Sequence, residues 1–148
     1  MGHVKRPSDG KEPAKIAWLQ CVGSRDVNRC GNEYCSSVCC MYAIKESVIA
    51  KEHLGKGFEP AIFFMDIRSH GKEFEKYYNR AKAEGVRFIR SRVHTITEID
   101  ESGTLDLRYV TESGEIINEQ FDMVVLSVGM EPAESVSGLS KTLGIELN

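Results

Sequence analysis

The sequence contains no apolar run near the roughly 20 residues needed to span a bilayer. Its opening residues hold no apolar block of the kind that precedes a leader cleavage site. Both absences argue against membrane insertion and secretion, and lead to the expectation of a cytoplasmic chain. Nor is there an excess of one charge. The 19 Lys and Arg stand against 22 Asp and Glu, a net charge of -3, which offers phosphate backbones no broad electrostatic footprint. Nucleic acid is therefore not an expected partner. Cysteine is too sparse, five in 148 residues, for a secreted disulfide scaffold. What is there, with 41% hydrophobic and 28% charged residues, is the composition of a globular chain the length of one domain.

The five cysteines are not scattered: Cys21, Cys30, Cys35, Cys39 and Cys40 fall in one short stretch. In a reducing compartment such clustering points to a metal or redox site.

Around them the pattern alternates between strand and helix. Residues 16–19 form a short apolar run that ends at Gln20-Cys21-Val22-Gly23-Ser24. This predicts a buried strand with Cys21 at its C-terminal end. Residues 25–34 are hydrophilic, with the turn formers Asn28, Gly31 and Asn32. Ser36 or Ser37 is placed to cap a helix that carries Val38, Met41, Ile44, Val48 and Ile49 at helical spacing and closes near Leu54-Gly55. The run Ala61-Ile62-Phe63-Phe64-Met65 suits a strand covered on both faces, hence a parallel sheet.

A charged helix is expected over about residues 72–84, with Phe74, Tyr77, Tyr78 and Ala81 on its packed side, and a strand over 86–89. Three extended pieces, 93–99, 105–111 and 115–121, are separated by turn sequences at 100–103 and 112–114 and predict an antiparallel meander. Residues 122–128 read as a last buried strand. The order predicts an α/β fold: a three-layer FAD/NAD(P)-binding-like domain with a central parallel sheet and an inserted β-meander. Residues 1–14 are expected as a flexible lead-in, 15–132 as the domain carrying the cysteines, and 133–148 as a tail leading to a missing flavin-domain segment. On this reading the chain is cut from something larger.

In a doubly wound sheet, ligands sit outside the carboxyl ends of the strands. The loop after the first strand is where the cysteines lie. A dinucleotide site wants G-x-G-x-x-G there, and this loop has only Gly23 and is longer than that tight turn, which argues against ordinary NAD binding. A helix N-terminus offers unpaired amides and a positive dipole end, which suit an anionic 4Fe-4S cluster and favour thiolates at Cys39 and Cys40. The set Cys21, Cys35, Cys39 and Cys40 provides four ligands from a strand end and a helix start, in a spacing unlike either common ferredoxin run.

Three other chemistries use the same residues. They are buried thiols acting as small apolar side chains, structural zinc, of whose two short knuckles only one is approximated, and a dithiol of Cys35 with Cys39 or Cys40. Asp66 and Arg68 follow the second strand, where dinucleotide-binding domains place a ribose or 2'-phosphate contact; a simple pairing of the two residues is the structural alternative. His3, His53, His70 and His94 share no metal-ligand spacing.

The strings IAWLQCVGSRD and YCSSVCCMYAIKES, with FMDIRSHGKEFEKYYNRAKAEGVRFIRSRV and FDMVVLSVGMEP downstream, closely resemble the HdrA family, the iron-sulfur flavoprotein of heterodisulfide reductase. The resemblance covers residues 15–132. It implies the nucleotide-binding half of a thioredoxin-reductase-like module whose first loop holds a 4Fe-4S cluster on Cys21, Cys35, Cys39 and Cys40, with Cys30 outside the ligand set. It further implies an oxidoreductase that carries FAD in its full length and works with other heterodisulfide reductase-type subunits and redox partners. The cluster would relay electrons between that flavin and other iron-sulfur centres. The isolated segment is not expected to complete a catalytic cycle. Gly129 and Pro132 match the G-x-x-P turn that in related flavoproteins returns the chain to the flavin domain; a plain strand-ending turn is the alternative.

Overall fold

The computed structural model describes residues 2–99 and 101–147. Met1, Asp100 and Asn148, which belong to the expected lead-in, first hairpin turn and tail, lie outside the described residues. Strand β1 (Lys15–Val22) is followed by a short helix α1 (Val27–Cys30), helix α2 (Cys39–Leu54) and strand β2 (Glu59–Phe64). Helix α3 (Phe74–Ala83) leads to β3 (Arg87–Arg90), then come β4 (Thr95–Glu98), β5 (Leu105–Val110), β6 (Ile116–Phe121), β7 (Met123–Val128) and helix α4 (Ser135–Leu143). The sheet β3-β2-β1-β7 is parallel throughout, and β4-β5-β6 forms a separate antiparallel sheet. The architecture is the α/β one expected, with the meander inserted before the last parallel strand.

The period-2 geometry of the strands builds the layers. On β1, Ile16 and Trp18 face the helices, where they join Ala43, Ile44 and Val48 of α2 and Ile62 of β2. Ala17 and Leu19 face the meander, where they join Ala61, Phe63, Leu107, Tyr109 and Phe121. The central strands are therefore covered on both faces, which is why their sequences read as unbroken apolar runs rather than alternating ones. Phe63 packs edge-on against Tyr109 and Phe121, with ring centroids 4.9 and 5.9 Å apart.

Several details depart from the sequence reading. The last strand, expected as buried, is an edge strand with no fully buried residue, and its Leu126 and Val128 are exposed. The cap expected from Ser36 or Ser37 is absent: α2 starts behind Val38, which has no side-chain acceptor, while Ser36 Oγ turns to Cys39 Sγ at 3.5 Å. The loop expected over 25–34 contains α1, capped by Asp26, whose Oδ1 accepts from the Arg29 amide at 3.1 Å. On α3, Tyr77 and Tyr78 pack against the helix-side core, but Phe74 is 44% exposed. The stretch expected only as a tail contains α4, whose Leu139 and Leu143 are exposed. In the opening residues, Pro13 and Arg6 are buried, and Arg6 donates to the Ser102 carbonyl.

Candidate metal centre

The site lies at the carboxyl edge of β1 and the start of α2. Pairing of β1 with β7 shifts register between Leu19 and Val22, and within that irregularity Cys21 takes a left-handed backbone, φ 61°. Such a conformation is uncommon for a side-chain-bearing residue and concentrates at functional positions. Cys21, Cys39 and Cys40 are each 3% exposed. Their thiols lie close enough to influence one another's ionisation, Cys39 with both Cys21 and Cys40. Cys35, half-buried, lies in the connecting segment, where its sulfur accepts from the Ser37 amide at 3.3 Å. Cys30, at the exposed end of α1, shares with Cys21 a cavity of about 270 Å³. Among the described residues, no group of three or more His, Cys, Asp or Glu is already spaced to hold a metal ion. All four histidines are exposed.

The three buried thiols divide their protons unequally. Hydrogen bonds from Cys21 and Cys40, with help from Ser36, hold the Cys39 thiol far below its ordinary value against the opposing effect of burial. Cys21 and Cys40 are both raised, because each donates to Cys39 and because burial disfavours their charge. Cys39 is thus the thiol of the three most disposed to ionise. This is a soft, dry, thiolate-forming donor set that fits an iron-sulfur group better than a carboxylate-seeking ion. A second observation agrees: Ser24 is 1% exposed and its hydroxyl has no hydrogen-bond partner. A buried hydroxyl without a partner is costly, and a bound group with sulfur acceptors would satisfy it.

The loop that holds the site is tied down on two sides. Arg25 and Asp26 amides bond to the Tyr34 and Asn32 carbonyls, at 3.1 and 2.7 Å, closing a small hairpin around α1. Asn32 Nδ2 donates to the Gly23 carbonyl at 3.0 Å and to Glu131 at 2.8 Å, and Tyr34 Oη donates to the Met130 carbonyl at 2.8 Å. Gly129 lies beside this loop: its amide donates to the Val22 carbonyl at 2.8 Å, and a Cβ there would stand 3.1 Å from both the Gly23 oxygen and Ser24 Cβ. Pro132 lies in the exposed turn that follows.

The loop after β2 closes the other side. The Asp66 carboxylate accepts from Arg25 Nη1 at 2.5 Å and from Arg68 Nε at 3.3 Å. Burial pushes that carboxyl up, but the two guanidiniums outweigh it and hold it below the usual carboxylate range. Cys40 Sγ lies 3.9 Å from the Asp66 carbonyl, to which it donates. Sequence reasoning singled out Asp66 and Arg68 but passed over Arg25 and Ser24. Their adjacency to Cys21 in the chain was the available signal.

No family model matches the chain. Among curated proteins it is 46% identical, over 99% of its length, to the iron-sulfur HdrA component of CoB--CoM heterodisulfide reductase from Methanocaldococcus jannaschii. It is 47% identical, over 98%, to the HdrA component of H(2)/formate:CoB-CoM heterodisulfide,ferredoxin reductase from Methanococcus maripaludis. The chain spans 22% of the length of each. Among solved structures it is similar to LpdA from Mycobacterium tuberculosis, with a TM-score of 0.51 at 13% identity over 94% of this chain and 25% of that one, a likeness of fold alone. The sequence identity, sustained along nearly the whole chain, places it in the HdrA family of heterodisulfide reductase components, as a segment of the length those members possess.

Proposed function

We propose that this chain forms the electron-transfer domain of an HdrA-like flavoprotein of heterodisulfide reductase, in which Cys21, Cys35, Cys39 and Cys40 hold a 4Fe-4S cluster. The observation that carries the reading is the closeness of the Cys21, Cys39 and Cys40 thiols, each residue 3% exposed, where the parallel sheet presents its ligand-binding edge. When bound, such a cluster supplies a reversible one-electron couple between the FAD of the whole protein and other iron-sulfur centres. The chain's own residues do the rest. In this reading the β1 bulge and the first turn of α2 would orient three of the ligands, and Cys35 would complete the set from the connecting segment. The Ser24 hydroxyl, buried and without a partner, would be available as a donor.

The relatives' names, one describing an iron-sulfur protein and the other a ferredoxin reductase, support the cofactor and an oxidoreductase that works within a larger complex. On this reading residues 15–132 are the cluster domain, and Gly129 and Pro132 form the turn that directs residues 133–148 toward the flavin-binding part. Asp66 and Arg68 keep a residual place in nucleotide contact. None of the described helices is long and apolar enough to cross a membrane.

Anaerobic reconstitution with ferrous iron and sulfide tests the reading. A brown chain with about four iron and four sulfide is expected. Cys39→Ala should abolish uptake and Cys30→Ala should leave it intact; the reverse pattern overturns the ligand set.

The closeness of Cys21 and Cys39 also favours a second reading, a thiol-disulfide site. It would pair Cys39 with Cys21 instead of with Cys35. A colourless chain after reconstitution, whose thiols cycle with a nicotinamide-dependent reductase, would support it.

A further inference from the structure

We infer that Arg25 is a positioning residue for the redox centre, a fixed cation clamped beside the cysteine sulfurs by Asp66 so that electron uptake there is favoured. The inference rests on the cluster reading above. Arg25 sits four positions beyond Cys21 and has a left-handed backbone, φ 54°, in a loop whose amide is bonded to the Tyr34 carbonyl. The bend turns its side chain inward, where it is 22% exposed. There the guanidinium bonds Asp66 Oδ1 at 2.5 Å and stands near enough to Cys21 to favour its thiolate form. An arginine held only for its ion pair would not need the inward turn.

The charges do not cancel. Asp66 is shared between Arg25 and Arg68, at 2.5 and 3.3 Å, so two cations face one anion and the trio retains a net positive charge. The trio is also joined to the sulfurs at a second point, the Asp66 carbonyl, which lies 3.9 Å from Cys40 Sγ. Each electron delivered to a thiolate-held centre adds negative charge in surroundings of low dielectric, where a nearby cation counts for more than it would in water. Hydrogen bonds and charge near the sulfurs are established levers on the potential of such centres. The loop after β2, which in a dinucleotide-binding domain reads the ribose, here supplies the clamp.

The test is a potentiometric titration of the full chain, reconstituted with ferrous iron and sulfide, reduced stepwise with dithionite and followed by electron paramagnetic resonance, with iron and sulfide assayed in every sample. Arg25→Gln should hold wild-type iron with its midpoint moved to more negative potential. Arg25→Lys, which keeps the charge, should stay near wild type. Asp66→Asn, which removes the anion while leaving an acceptor for Arg25, should move the midpoint the opposite way. An unshifted midpoint in Arg25→Gln at full iron content overturns the inference and leaves the cluster reading standing. Loss of iron in Arg25→Gln together with an unshifted Asp66→Asn overturns it also, making Arg25 an assembly residue. A wild-type chain that takes up neither iron nor sulfide overturns the cluster reading itself, and the inference with it.

Discussion

Lys15 on β1 and Glu119 on β6 form an ion pair of 2.7 Å that crosses from the parallel sheet to the meander. Arg87 of β3 grips the same carboxylate with both guanidinium nitrogens, at 2.5 and 3.2 Å, and Tyr109 Oη donates to it at 2.7 Å. Burial pushes the Glu119 carboxyl up, but these donors overcome it and bring it down to about 2 from 4.5. A carboxyl lowered by folding contributes stability that is present above its unfolded value and lost as pH falls toward its folded one. The shift corresponds to roughly 3 kcal/mol at neutral pH. Urea midpoints should therefore fall between pH 5 and pH 2, and Glu119→Gln should be less stable at pH 7 with a flatter acid limb. A variant with the wild-type acid profile would show that the clamp contributes nothing.

Phe63 is 2% exposed and joins Tyr109 and Phe121 in the layer between sheet and meander. Phe63→Ala should cost about 3–5 kcal/mol in a denaturant melt, the usual range for emptying an aromatic site in a core. A loss below about 1 kcal/mol would mean the meander is not a packed layer.

A side chain on Gly129 would crowd the cysteine loop, since a Cβ would meet Gly23 oxygen and Ser24 Cβ at 3.1 Å. Gly129→Ala should destabilise by about 1–3 kcal/mol as backbone shifts to relieve the contact. It should also slow iron uptake. Gly138 is the control: it lies inside α4 with open space around it, and Gly138→Ala should stabilise that helix, by about 0.5–1 kcal/mol. Equal effects at the two positions would contradict the packing described.

Ser24 separates the iron-free chain from the loaded one. Removing a buried hydroxyl that has no partner should raise the melting temperature of the iron-free Ser24→Ala chain, a gain of about 1 kcal/mol. If the hydroxyl donates to a bound cluster, the same variant should lose its cluster faster than wild type under a chelator. Movement of both readouts in one direction would refute the role.

Much of the fold was legible because it depends on periodicity. Ile16, Trp18 and Ile62 alternate with Ala17, Leu19, Ala61 and Phe63 across two buried faces, and this writes a parallel sheet into the sequence as continuous apolar runs. Gly55, with φ 73°, closes α2 where a glycine was expected. The helix start was less legible, because Ser36 has a choice of partners and takes the Cys39 sulfur instead of a backbone amide. Helix α1 was hidden in a polar loop, since four residues are too few to show a period.

The sequence by itself determined the strand and helix order and the placement of Cys21, Cys39 and Cys40 at a strand end and a helix start, for both follow from local spacing. Only the tertiary structure decided that Cys21 lies close to Cys39, that Ser24 is buried without a partner and that Arg25 turns in to Asp66. Those relationships join side chains from β1, α2 and the loop after β2, and no local pattern encodes them. They exist because pairing of β1 with β2 and β7 brings three loop ends to one edge of the sheet.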